Sequence, residues 1–240
     1  MYAIEIKKLT KKYKDKIAVN EMDLQINKGE LFSLLGTNGA GKTTTIKMLS
    51  GIILPTEGEI IVEDINMKEN PLKVKQILNV SPQESAIAQN LTVKENLEFM
   101  AGVYQIKDKK NKINELIRQF NLEDVLNKKA KTLSGGWQRK VSIAISLINN
   151  PKILFLDEPT LGLDVIARKE LWKLIAELKG KITIILTTHY MEEAESLSDR
   201  VGIMSNGKLI DIGTAKELIK KTNTKNFEDA FVAIATGGEL

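Results

Sequence analysis

The octet Gly36-Thr37-Asn38-Gly39-Ala40-Gly41-Lys42-Thr43 constrains this chain more than any other stretch. It fits G-x-x-x-x-G-K-[ST] and sits between an apolar run, Leu31 to Leu35, and a predicted helix from Lys42 to Ser50. That context gives the pattern its chemistry. The run reads as a buried strand, and the glycines let backbone N–H groups converge on phosphate oxygens at a helix amino terminus. Lys42 is placed to reach the β and γ phosphates, and Thr43, followed by Thr44, to hold Mg²⁺. The octet therefore predicts a nucleoside-triphosphate site, with ATP as the expected nucleotide.

A second element lies at Ile153-Leu154-Phe155-Leu156-Asp157-Glu158, an apolar strand ending in two carboxylates. At the end of a parallel strand such groups face the crevice where ligands bind. Asp157 is expected to hold Mg²⁺ through water, and Glu158 to orient and deprotonate an attacking water. A third element, Leu133-Ser134-Gly135-Gly136, precedes a predicted helix through Ile148 and offers a second anion-binding helix amino terminus. One triphosphate has no obvious use for two such sites in one chain.

At 240 residues, with 42% hydrophobic and 28% charged residues, the chain can bury one α/β core and has no fibrous or disordered bias. No apolar run approaches the ~18–20 residues of a membrane-spanning helix. The start, Met1 to Thr10, lacks the pattern of a secretory signal, and the absence of cysteine fits the cytosol. The net charge is +4, and the lysine clusters at 7–12 and 107–112 have no interleaved aromatics, so nucleic acid is not an expected partner.

Strand patterns cover Tyr2 to Ile6, Val19 to Ile26, Leu31 to Leu35 and Glu59 to Val62. From the capping box Thr92-Val93-Lys94-Glu95 the period becomes helical, through Val103, then Lys110 to Phe120, then Ser134 to Ile148. Strand Ile153 to Leu156, helix Asp164 to Leu178, strand Ile182 to Leu186 and a short helix after His189 follow, an alternation that implies a parallel sheet. An Asn206-Gly207 hairpin turn, a capping box at Thr214 and a final amphipathic stretch from Phe227 to Thr236 end the chain.

Taken together, the phosphate loop, Leu133 to Gly136 and Asp157-Glu158-Pro159-Thr160 resemble the motif set of ABC ATPases over nearly the whole chain. The resemblance implies a P-loop NTPase core with a mainly parallel sheet, an antiparallel β subdomain and an α-helical subdomain. Residues 1–90 and 151–214 would form the core with its β subdomain, 91–150 the helical subdomain with the signature motif, and 215–240 C-terminal helices, all in one domain. It further implies that Tyr13 stacks on adenine, that Gln83 reaches Mg²⁺ and the attacking water, and that His189, the only histidine, contacts the γ phosphate. Leu161 to Asp164 resembles the loop that meets a partner subunit, although Asp164 also suits a helix N-cap. Ser134, Gly135 and Gly136 would complete the site of a second nucleotide-binding chain, expected to be a copy of this one. Trp137 departs from the pattern, which usually has Gln there; Gln138 comes one residue later.

Two functions fit this resemblance. The first is the ATP-hydrolysing subunit of a transporter, peripheral on the cytoplasmic face of the membrane and coupled to a separate membrane-spanning permease. Thr188 to Glu195, Asp199-Arg200-Val201 and Phe227 to Phe231 resemble exporters of drugs, ions or lipids. The alternative is a soluble ABC ATPase of translation or DNA repair, which would usually carry tandem cassettes or a long coiled-coil insert. A P-loop kinase or GTPase is disfavoured, since no Asn-Lys-x-Asp guanine motif occurs.

Overall fold

The computed structural model describes residues 1–84 and 86–237; residues 238–240, the end of the expected C-terminal helical stretch, lie outside the described residues. In chain order the elements are β1 Tyr2–Tyr13, β2 Lys16–Asn27, β3 Leu31–Gly36, α1 Lys42–Leu49, β4 Glu57–Val62, β5 Ile65–Asn66, α2 Pro71–Ile77 and β6 Leu78–Ser81. They continue with α3 Val93–Val103, α4 Lys109–Phe120, α5 Gly135–Ser146, β7 Ile153–Asp157, α6 Val165–Ala176 and β8 Thr183–Thr188. Last come α7 Met191–Leu197, β9 Arg200–Ser205, β10 Lys208–Gly213, α8 Ala215–Thr222 and α9 Phe227–Thr236.

Among the described residues the strands form two sheets. One is antiparallel, in the order β2-β1-β4-β5, and the other runs β10-β9-β3-β8-β7-β6. In the second sheet only β10 runs antiparallel to its neighbour. Strands β3, β7 and β8 are buried along their whole length, as parallel strands covered on both faces must be. Their side chains alternate between two cores. Leu154, Leu156, Ile184 and Leu186 pack with the helices α3 to α6, while Phe155, Ile185, Phe32 and Leu34 pack with α1 and the antiparallel sheet.

The helical layer is built by its apolar spacing. In α4 the buried residues Ile113, Leu116, Ile117 and Phe120 fall at i, i+3, i+4 and i+7, one face of a helix. Burying Phe120 alone contributes on the order of 1.5–3 kcal/mol. The expected capping box forms at α3: Thr92 Oγ1 accepts from Glu95 N at 3.1 Å and Glu95 Oε2 accepts from Thr92 N at 2.7 Å. These bonds hold the Glu95 carboxyl below its ordinary pKa. The same reciprocal pair caps α8 at Thr214 and Glu217.

The sequence pattern assigned no element between Val62 and Thr92, yet the structure places β5, α2 and β6 there. Strand β6 is only four residues long and gains its stability from pairing in parallel with β7, a partner far along the chain. Other differences are at element ends. Strands β1 and β2 run several residues beyond the apolar alternation because register shifts interrupt that alternation within the ladder.

Candidate functional site

The loop and the strand-end carboxylates meet as the topology requires, since β3 and β7 flank β8 in one parallel sheet. Their carboxyl ends open into one cleft of about 590 Å³, lined by Tyr13, Asn38, Gly39, Gly41, Lys42, Thr43, Thr44, Gln83, Glu158 and His189. A second open cleft, about 610 Å³, borders Lys28, Glu63, Lys152 and Thr183. It lies at the starts of the parallel strands, away from the ends where ligands bind, and its Lys28 and Glu63 are already paired at 2.8 Å.

Each glycine of the loop has a structural reason. Gly39 and Gly41 take φ of +84° and +106°, which side chains of L residues rarely adopt. A Cβ on Gly41 would collide with the Ala18 carbonyl of β2, and one on Gly36 would lie 2.5 Å from the Met204 carbonyl of β9. Gly41 is also the N-cap of α1, whose first turn, Lys42-Thr43-Thr44, carries no acidic residue, so its amides and dipole face the cleft uncompeted. Ala40 ties the loop to the β9–β10 turn, its carbonyl accepting from Gly207 N at 3.0 Å.

Lys42 is folded over the loop, Nζ donating to Gly36 O at 2.7 Å and Thr37 O at 3.2 Å. The same Nζ lies 3.5 Å from Glu158 Oε1. Burial pushes the Lys42 pKa down, and the charges of Glu158 and Asp157 oppose that shift. Thr43 Oγ1 donates to Asp157 Oδ1 at 3.2 Å, and Thr187 Oγ1 donates to the same oxygen. A hydroxyl and a carboxylate oxygen converging beside a phosphate loop are hard donors of the kind Mg²⁺ shares with nucleotide phosphates, so the residues fit that ion.

Glu158 is buried and takes φ of 45°, a left-handed backbone for a non-glycine residue. Such a conformation costs on the order of 1–3 kcal/mol and persists only where surrounding bonds impose it. Those bonds are present: Glu158 N donates to Thr187 Oγ1 at 3.0 Å, and Glu158 O accepts from Arg139 Nη2 at 3.3 Å. The Glu158 side chain is thereby aimed at His189, whose Nδ1 lies 3.4 Å from Oε2.

Of the residues singled out in the sequence, Ser134, Gly135 and Gly136 are not among those lining this cleft. They open α5, where Ser134 is exposed and its side chain makes no capping bond among the described residues. Gly136 lets α5 approach α6, since a Cβ there would lie 3.1 Å from Ala167 Cβ. Trp137 packs against the helical core with Lys140 Nζ 4.5 Å from its ring, and Gln138 turns back to donate to Leu133 O at 3.1 Å. Asp164 caps α6, accepting from Ile166 N and Ala167 N at 2.9 Å each.

Arg139 and Thr187 carry much of this geometry and were not singled out in the sequence. Arg139, one turn into α5, donates to Pro82 O and Gln83 O at 2.6 Å each. It thus joins the Ser134 helix to the Gln83 loop and to Glu158. Burial lowers its pKa, opposed by the charges of Asp157 and Glu193. A cation inside the apolar pattern of α5 was the available signal.

The family profile described as ABC transporter matches residues 19–161, more than half of the chain. The chain belongs to the ABC transporter family. Its fold is that of the family's ATPase domain. The cassette is 40% identical over 218 residues to the probable multidrug ABC transporter ATP-binding protein YbhF of Escherichia coli, covering 90% of this chain and 38% of that protein. It is 39% identical over 224 residues to the human phospholipid-transporting ATPase ABCA3, covering 91% of this chain and 13% of that protein. The chain thus spans well under half the length of these curated relatives. Among solved structures, the dimeric post-hydrolysis ATP-binding cassette MJ0796, bound to ADP and Pi, superposes with a TM-score of 0.79 at 27% identity, covering 88% of this chain and 98% of that one.

Proposed function

We propose that this chain is the ATP-hydrolysing subunit of an ABC exporter, working as a head-to-tail dimer at the cytoplasmic face of a membrane. The observation that carries the reading is the convergence of Lys42, Thr43, Asp157, Glu158 and His189 at the carboxyl ends of three adjacent parallel strands. The loop amides and Lys42 bind the β and γ phosphates, and Tyr13 stacks on adenine at the cleft's outer edge. Glu158 takes the proton of the attacking water, and His189, 3.4 Å from that carboxylate, contacts the γ phosphate. Thr43, Asp157 and Gln83 would hold Mg²⁺, which would supply charge neutralisation at the phosphates.

Ser134, Gly135 and Gly136 do not line the cleft of their own chain, and in this reading they close the site of a second chain. The dimeric state of the MJ0796 cassette supports that arrangement. The names of YbhF and ABCA3 support export, and a membrane-spanning partner on a separate chain would receive the stroke. Among the described residues no helix is long and apolar enough to cross a membrane.

Mixing Ser134→Arg chains with Lys42→Ala chains tests the shared site. Each parent lacks one half of both sites, whereas the hybrid retains one site with both halves. ATP turnover in the mixture above that of either parent is expected; turnover no higher than the parents contradicts a shared site. Affinity capture of the tagged chain from membranes is expected to bring a multi-span protein with it, and capture with ribosomes or repair complexes instead contradicts the exporter reading.

A further inference from the structure

Behind the cleft lies a carboxyl group that the reading above does not use. Glu193, in α7, is 0% exposed. Its Oε1 accepts from Thr160 Oγ1 at 2.8 Å and from Trp172 Nε1 at 2.9 Å. The Thr188 hydroxyl also faces the carboxyl, and among the described residues Oε2 has no partner in hydrogen-bonding geometry. Burial pushes the Glu193 pKa up, opposed by those three groups and by Arg168. Other charges stand nearby: the Arg168 guanidinium lies 3.7 Å from Glu192 Oε2, and the buried Arg139 cation acts from α5.

The contacts of Glu193 reach both segments that carry the proposed hydrolytic pair. Thr160 lies in the turn closed by Leu161 N donating to Glu158 O at 3.2 Å, and α7 begins two residues after His189. Glu193 fastens the first to the second. On the other side, the Arg168 guanidinium lies 5.6 Å from the Trp172 ring and 5.3 Å from the Tyr190 ring, and the Tyr190 ring is 4.1 Å from the His189 imidazole. Between the two segments, His189 Nδ1 lies 3.4 Å from Glu158 Oε2 without hydrogen-bonding geometry. If filling space were all the slot required, an apolar side chain would fill it without burying an ionisable group. The carboxyl oxygen is there to hold two donors from two different elements.

We infer that Glu193 is a positioning residue, holding the Glu158 turn and the His189 segment at the separation from which water is attacked. This rests on the assignment of Glu158 and His189 proposed above. Glu193 is fully buried and does not line the cleft, so its loss should lower kcat without weakening ATP binding.

The test uses the full chain with three substitutions. Glu193→Ala removes the acceptor, Thr160→Val removes one donor with little change of shape, and Glu193→Gln keeps an oxygen for both donors. Because His189 is the sole histidine, its imidazole gives one unambiguous NMR resonance that reports its surroundings. Glu193→Ala is expected to lower kcat about 10-fold or more with KM for ATP within about 2-fold, and to shift the His189 resonance. Thr160→Val should shift both in the same direction by less, which keeps the test open if Glu193→Ala does not fold. Glu193→Gln should keep kcat within about 3-fold and leave the resonance in place. A role in stability alone would lower the melting temperature while leaving kcat and the resonance unmoved, and that result overturns the inference, as does a Gln variant as damaged as the Ala one. Wild-type turnover in Glu158→Gln would instead remove the underlying assignment. Stalled turnover in Glu158→Gln beside normal Glu193→Ala and Thr160→Val removes only the positioning role.

Discussion

Lys42 Nζ and Glu158 Oε1 stand 3.5 Å apart, an ion-pair contact that joins the cation of the phosphate loop to the carboxylate just past β7. Both side chains are buried. Both line the same cleft, which sets the group proposed to bind phosphate beside the group proposed to activate water.

Lys42→Ala should weaken ATP binding. A hydrogen bond to a charged partner is worth about 1.5–3 kcal/mol, which is roughly a 10- to 100-fold rise in Kd. Equilibrium titration with a fluorescent ATP analogue measures it, and an unchanged Kd would remove Lys42 from the phosphate site.

Gly41→Ala should damage the loop without touching a charge. The residue must hold φ of +106°, and its new Cβ would press on the Ala18 carbonyl. The expected cost is on the order of 1–3 kcal/mol, seen as a lowered midpoint of chemical denaturation together with weaker ATP binding. Wild-type values for both would mean the loop backbone is free to relax.

Glu193 should make stability depend on pH. Its pKa is raised above the ordinary 4.5, so between that value and the folded one the native state holds a proton that the unfolded chain has released. Stability in that window falls as pH rises. Denaturation midpoints of wild type and Glu193→Gln, compared from about pH 4 to about pH 8, should therefore diverge in favour of the Gln variant as pH increases. A difference that stays flat would mean the carboxyl keeps its ordinary pKa in the fold.

Local chemistry explains which parts could be read in advance. The phosphate loop, the Asp157-Glu158 strand end, both capping boxes and the Asn206-Gly207 turn are written in neighbouring residues, and each forms where its pattern stands. What escaped depends on partners distant in the chain. Strand β6 exists through β7, Arg139 acts on carbonyls more than fifty residues earlier, and Glu193 meets Thr160 thirty-three residues before it. Nothing within a few residues of Glu193 distinguishes it from the solvated Glu192 beside it. The Ser134 segment reads in the sequence as the helix start that α5 has, but its place outside the Lys42 cleft depends on the tertiary fold.

The most direct measurement is steady-state ATP hydrolysis by Glu158→Gln beside its ATP affinity. Removing a general base while keeping the shape of the side chain should cut kcat by about 10²- to 10⁴-fold and leave ATP bound as tightly as in the wild type. Turnover at the wild-type rate would contradict the account of this cleft as a hydrolytic site built around Glu158.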